Sequence, residues 1–420
     1  MNGKRRWIEW GKDALMVLLT LSALYLLSMT PLVQDSGVLD LLSPRESPGM
    51  SASGESGTAA MLPARLAITG TGGRCGIQYD ESRLEERFPP LGALLGDALA
   101  SAGTPRPISE SDWRRYLGGR NIYFDFQGDV PLAALERWLQ DPGERPLEGS
   151  ARRVMLCAGE EDQVLLCWQE GDGGGFFSCP TALTRSLNLD PVVEGSEPNG
   201  AYFAFENRAL AGRLAPYTLI TEGEQDGAQY DAGMPLLADA GRMVLSTLSF
   251  NSQNHAPASG GEVYLDGGDR LVVSDNGTVF YQALQGEKYP VAAGPAGGVE
   301  TARAMAEATV GALCGEARLY LMSAREAEDG LRVQFGYLLR GGVVHLGSEG
   351  WAAEFVARDG YIVQFTLRFR TYAANGARTL LLPVDKAAAM LPDLTDQRRE
   401  LVIQYRDGGG YQLVPGWVAV

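Results

Sequence analysis

Two histidines, five cysteines and a large stock of carboxylates are the side chains in this chain with the reach to do chemistry. His255 lies in NSQNHAPAS, a loop by composition, and His345 ends GGVVH, where an edge-strand histidine is the natural reading. No H-E-x-x-H, C-x-x-C or EF-hand spacing accompanies them, so no dedicated metal site is expected. G-x-S-x-G and S-x-x-K, which would expose a nucleophile, are also missing. The run G-T-G-G-R-C at 70–75 comes close to G-x-G-x-x-G but has Cys75 in place of the third glycine, and it reads as a turn. Cys179 precedes Pro180 at a predicted helix start, where the helix dipole would lower a thiol pKa. No partner base can be placed beside it, so its expected role is structural. Cys157 and Cys167 fall on two adjacent predicted strands, but the intervening GEED turn sets Cys157 nearer Val164. Free, buried thiols are therefore expected rather than a disulfide scaffold. A glycosidase needs two carboxylates facing one bond. Most acids here sit in glycine-rich loops (EGDGGG, EGSEPNG, TEGEQDG) that read as solvated turns, and no pair stands out. Catalytic residues, cofactor-binding residues and metal ligands are all expected to be absent.

The elements that must carry these residues are arranged around Ala14–Val33, ALMVLLTLSALYLLSMTPLV. This run of 20 residues has no charge and eight leucines. As a helix at about 1.5 Å per residue it spans roughly 30 Å, the thickness of a bilayer's hydrocarbon core. The sequence after it lacks an A-x-A cleavage pattern and has no nearby lipidation cysteine, so the segment is expected to remain as an anchor. Lys4, Arg5, Arg6 and Lys12 precede it, which places residues 1–13 in the cytoplasm and everything after Val33 outside the cell. Within the span, Thr20, Ala23, Leu27 and Thr30 share one helical face. Small and hydroxyl residues there suit contact with a partner helix, although the hydroxyls can also bond back to their own helix.

The net charge of −16 excludes nucleic acid as a natural partner and disfavours lying flat on anionic lipid. Residues 34–63 are rich in Ser, Gly, Pro and Ala and read as a flexible stalk. Two mixed α+β extracellular domains with mainly antiparallel sheets are expected beyond it, at 64–235 and 236–420. In the first, 82–102 has helical spacing that Pro89-Pro90 should break or kink. Pro131 should open a helix, 153–170 should form a hairpin around GEED, and Pro180 should open another helix through Leu187. In the second, Asn276-Gly277 marks a hairpin turn and 300–315 a helix. YIVQFTLRFRTY reads as one strand of roughly 40 Å. Tyr361, Val363, Phe365, Leu367 and Phe369 would face inward, and Gln364, Thr366, Arg368 and Arg370 would face water. Near the end, 400–405 should pair with 411–414 across DGGG.

LSFNSQNHAPASGGEVYLDGGDRLVVSDNGTVFY, the following helix, LRVQFGYLLRGGVVHL, YIVQFTLRFRTY and the closing YQLVPGWVAV resemble, in order and spacing, the corresponding segments of YycH/YycI-type proteins. The resemblance covers about 240–420 plus the anchor and is closer to the YycH branch by chain length. It implies a non-enzymatic accessory factor of a cell-wall two-component system. Such a factor would associate with a membrane sensor histidine kinase, in part through its transmembrane helix, and with a paralogous accessory protein. A tethered cell-envelope hydrolase or wall-binding module is the alternative reading.

Overall fold

The computed structural model describes residues 61–420 apart from 141–145, 172–173, 222–225, 236, 285–286, 295 and 392–398. The expected cytoplasmic tail, membrane span and nearly all of the stalk lie outside the described residues. No helix among the described residues is long and apolar enough to cross a membrane. The architecture is mixed α+β with mostly antiparallel sheets.

The first large sheet uses β1 (Arg65–Gly70), β2 (Gly73–Gln78), β3 (Arg106–Ile108), β4 (Asn121–Pro131), β5 (Ser150–Ala158), β6 (Gln163–Gln169) and β7 (Phe176–Thr184). Its spatial order is β2–β1–β4–β5–β6–β7–β3, antiparallel throughout. Both faces are covered. Leu66, Phe124, Val154 and Leu166 pack under α1 (Glu81–Ala100). The alternate residues Ala67, Tyr123, Met155 and Cys167 pack with Trp113 and Leu117 of α2 (Glu110–Gly118) and with Phe203 and Tyr217. Double-sided burial explains the near-continuous apolar runs in these strands. Helix α2 adds to the expected elements, and its one local signal is the capping box between Ser109 and Asp112 at its start.

Three expectations fail here in whole or in part. Helix α1 is not broken at Pro89 and Pro90, which lie inside it. The two carbonyls that lose donors, those of Glu85 and Glu86, belong to exposed residues where water can serve them. Pro131 ends β4 and caps α3 (Leu132–Leu139) without being its first residue. Pro180 opens no helix: it sits inside β7, opposite Leu165 next to a register shift, where a strand tolerates proline. Helical structure begins only at Arg185, in a π turn that leads into α4 (Asp190–Glu194). The GEED hairpin forms as expected from β5 and β6.

The middle of the chain adds β8 (Tyr202–Phe203), β9 (Leu219–Ile220), β10 (Asp226–Gly233) and α5 (Leu237–Thr247). The second large sheet draws on β11 (His255–Ala258), β12 (Gly261–Asp266), β13 (Asp269–Ser274), β14 (Thr278–Gln282), β15 (Arg318–Ala327), β16 (Gly330–Leu339), β17 (Gly342–Leu346), β18 (Ala353–Arg358) and β19 (Tyr361–Arg368). It runs β11–β12–β13–β14–β19–β18–β16–β15, all antiparallel. The Asn276-Gly277 hairpin is present, and α6 (Gly297–Ala308) buries Val299, Ala302, Met305 and Ala306. This helix ends before the expected Gly315, giving way to a 3-10 turn at Gly311–Leu313.

The anticipated long strand is two. β19 stops at Arg368, and β20 (Thr371–Leu380) leaves for a small sheet with β10. A bulge opposite Val356 and Ala357 also flips the start of β19, so that Ile362 is buried and Val363 turns outward. After α7 (Val384–Ala389) come β21 (Leu401–Asp407), β22 (Gln412–Leu413) and β23 (Pro415–Ala419). β21 pairs with β23 and not with the segment after DGGG, because Leu413 of β22 is drawn onto Tyr230 of β10. β21 also lies parallel to β17.

The two large sheets touch where Asp129 of β4 pairs in parallel with Ser323 of β15. Gly128 is essential to that approach: a Cβ there would lie 1.9 Å from the Leu321 carbonyl oxygen. One connected apolar cluster takes residues from both regions, Phe124 and Leu166 together with Phe335 and Phe365.

Candidate functional site

Strand register alone assembles the densest polar site. Gln78, Arg65, Asp125, Arg153 and Gln169 stand opposite one another across β2, β1, β4, β5 and β6, forming one rung. All five are buried. Glu400, from the segment just before β21, is inserted above this rung although it lies 335 positions from Arg65. Arg65 Nη1 donates to Asp125 Oδ2 at 3.0 Å and to Glu400 Oε1 at 2.9 Å. Arg152 Nε reaches Asp125 Oδ1 at 3.3 Å, and its Nη2 donates to Glu400 Oε2. Arg153 Nη1 donates to Gln169 Oε1 at 2.8 Å and Nη2 to Glu400 Oε2 at 3.4 Å. The Gln127 amide adds a 2.9 Å bond to Asp125 Oδ1.

The electrostatics make this a clamp. Burial pushes the Asp125 carboxyl up, but Arg152, Arg65 and Arg153 together more than reverse that and hold it well below the usual carboxylate range. Burial also works against the charge on Arg65, and Glu400 and Asp125 outweigh it, raising the guanidinium pKa. Tyr79, whose hydroxyl accepts a 3.1 Å bond from the Ile403 amide, is pushed up chiefly by burial. An ionised Asp125 with permanently charged guanidiniums offers no proton for general acid catalysis near neutrality. Asp125 and Glu400 share the same arginines and do not face each other across a cleft.

A second buried clamp closes the far end of β21. Arg370 donates through Nε to Asp407 Oδ2 at 2.7 Å and through Nη2 to Oδ1 at 2.9 Å. Tyr372 donates to Asp407 Oδ2 at 2.9 Å, and the Gly409 amide donates to Oδ1. Arg370 was expected to face water. The break after Arg368 turns it inward, and the paired carboxylate offsets the cost of burying its charge.

The residues singled out by type are dispersed. Thr20, Ala23, Leu27 and Thr30 lie outside the described residues. Cys179 sits in mid-strand, away from any helix start, and burial pushes its thiol up to about 12, opposite to an activated thiolate. Cys314 is likewise pushed up to about 11. All five cysteines are free and buried. Cys157 stands opposite Leu165, one position beyond Val164, and its Sγ is 3.6 Å from that of Cys167. His255 is exposed on edge strand β11, stacked 5.4 Å from Tyr264, and His345 lies on β17. The 70–75 run is only partly a turn, since Gly73-Arg74-Cys75 already belong to β2. Arg74 there donates to Thr69 Oγ1, the Leu117 carbonyl and Glu206. Among the described residues no group of three or more His, Cys, Asp or Glu is placed to hold a metal ion.

A long-range clamp between two sheet systems is a property of the whole fold, and the fold has a precedent. The crystal structure of YycH from Bacillus subtilis matches this chain with a TM-score of 0.55 over 86% of this chain and 94% of the other, at 10% identity. The fold is YycH-like. The YycH match takes in far more than the 240–420 segment that carries the sequence resemblance, so residues of the first region share the likeness as well. No family model matches the sequence, and no curated protein matches it.

Proposed function

We propose that this chain is a membrane-anchored extracellular accessory factor of a cell-wall two-component system. It acts by protein–protein contact with a sensor histidine kinase, through the transmembrane helix and the ectodomain, and meets a paralogous accessory protein on the same membrane. The YycH-like fold over most of the chain is the observation that carries this reading. The chemistry is consistent with it. The densest charged site is a buried clamp with its carboxylates neutralised by arginine, which suits a body that transmits contact. The basic start and uncharged run 14–33 supply the anchor. The test is affinity purification of the tagged full chain from membranes of its own cells, beside a version whose residues 1–33 are replaced by an unrelated anchor. A sensor kinase should be recovered with the full chain and in smaller amount with the exchanged anchor. Recovery of no kinase with either form would remove the proposal.

A further inference from the structure

A cavity of about 590 Å³ opens beside β6 and β7. Its size falls within the range of about 300–1,000 Å³ usual for ligand sites. Pro105 and Pro146 wall it, and Trp168 and Phe177 form an aromatic side. These two residues are cross-strand partners, with ring centroids 5.6 Å apart and planes inclined by 18°. Glu148 and Glu170 also line it. Both are exposed, and neither side chain has a hydrogen bond or ion pair among the described residues. Gly149 lies between them, where a Cβ would come within 3.5 Å of Glu170 Oε1. Trp168 is only 3% exposed, yet its indole N–H has no acceptor among the described residues.

We propose that this cavity binds a basic side chain, arginine or lysine, presented by an extended peptide segment. Two carboxylates with no partner among the described residues call for a cation and repel an acidic ligand. Proline and aromatic walls suit the methylene stem of either side chain. The indole N–H of Trp168 is free to donate to the peptide's own carbonyl. A neutral sugar would need an open aromatic face to stack on, and Trp168 does not present one. The inference stands apart from the identity of any kinase. It assigns a chemistry to one ligand site on the ectodomain.

The test is titration of the full chain in detergent with blocked pentapeptides Ala-Ala-X-Ala-Ala, followed by calorimetry, where X is arginine, lysine, citrulline or glutamate. Arginine and lysine peptides should bind, citrulline at least tenfold more weakly, and glutamate not at all. The Glu148→Gln/Glu170→Gln double variant, with its unfolding midpoint unchanged, should lose roughly tenfold in affinity for the arginine peptide. Trp168→Phe keeps the wall and should lose a few-fold. Failure of every peptide to bind at millimolar concentration overturns the proposal. Equal binding of citrulline and arginine, an unaffected double variant, or preferential binding of N-acetylglucosamine oligomers would do the same. A kinase recovered from membranes alongside any of those results would leave the functional reading intact.

Discussion

Glu400 shows what a single residue does in this fold. Its carboxylate accepts from Arg65, Arg152 and Arg153 in a buried site. Removing one partner of a buried charge set leaves the others uncompensated, at a cost of about 3–5 kcal/mol. Glu400→Gln should therefore lower the urea midpoint by that equivalent, while an exposed control such as Glu160→Gln changes little. Asp125 adds a pH dependence whose direction is fixed. Its folded pKa is depressed below the unfolded value of about 3.9, so its stabilisation is complete above that value. It is lost as pH falls through the folded pKa. An Asp125→Asn variant should start less stable at neutrality and lose part of the acid limb below about pH 4, read by circular dichroism. A retained full acid limb would mean that other carboxylates carry it. None of this was visible in the sequence. Glu400 follows two arginines in QRRE and looks like a solvated charge run, and only the tertiary fold brings it to Arg65.

Elements were legible where one local rule decides them. The GEED and Asn276-Gly277 hairpins follow turn chemistry and form as expected. Misreadings cluster where tertiary pairing overrides a local signal. Pro180 signals a helix start, but the strand partner β6 claims it. The alternation in YIVQFTLRFRTY predicts one strand, but a bulge and the Arg370–Asp407 pair divide it between two sheets. Gly128 shows the same dependence in a form that can be measured. Nothing in its neighbourhood asks for glycine, since the constraint comes from the Leu321 carbonyl on β15. Gly128→Ala forces the two sheet systems apart or bends β4. It should cost about 3 kcal/mol, at the upper end of overpacking, and lower the midpoint of thermal unfolding. A neutral effect would show that β4 and β15 separate without loss, and that the contact at Asp129 and Ser323 contributes little.

At the scale of the whole molecule, the proposed function would divide the work of meeting a partner between one body and one anchor. The body is held internally by a shared apolar core and by buried ion pairs spanning 335 sequence positions, an arrangement suited to passing a contact from one side to the other. The anchor face of Thr20, Ala23, Leu27 and Thr30 rests on sequence spacing alone. Its contribution can be bounded before it is measured. Hydrogen bonds between helices in a bilayer average about 0.6 kcal/mol, so two threonines and one small residue supply on the order of 1–2 kcal/mol. That corresponds to about a five- to thirtyfold change in association. The Thr20→Leu/Ala23→Leu/Thr30→Leu variant inserts at least as well as the parent, because leucine favours the bilayer. Co-purification of a kinase should then fall by that factor and not vanish. Complete loss would mean that the helix is the entire contact and the ectodomain a passenger. Unchanged recovery would place the contact wholly on the ectodomain, and the four-residue face would have no role in recognition.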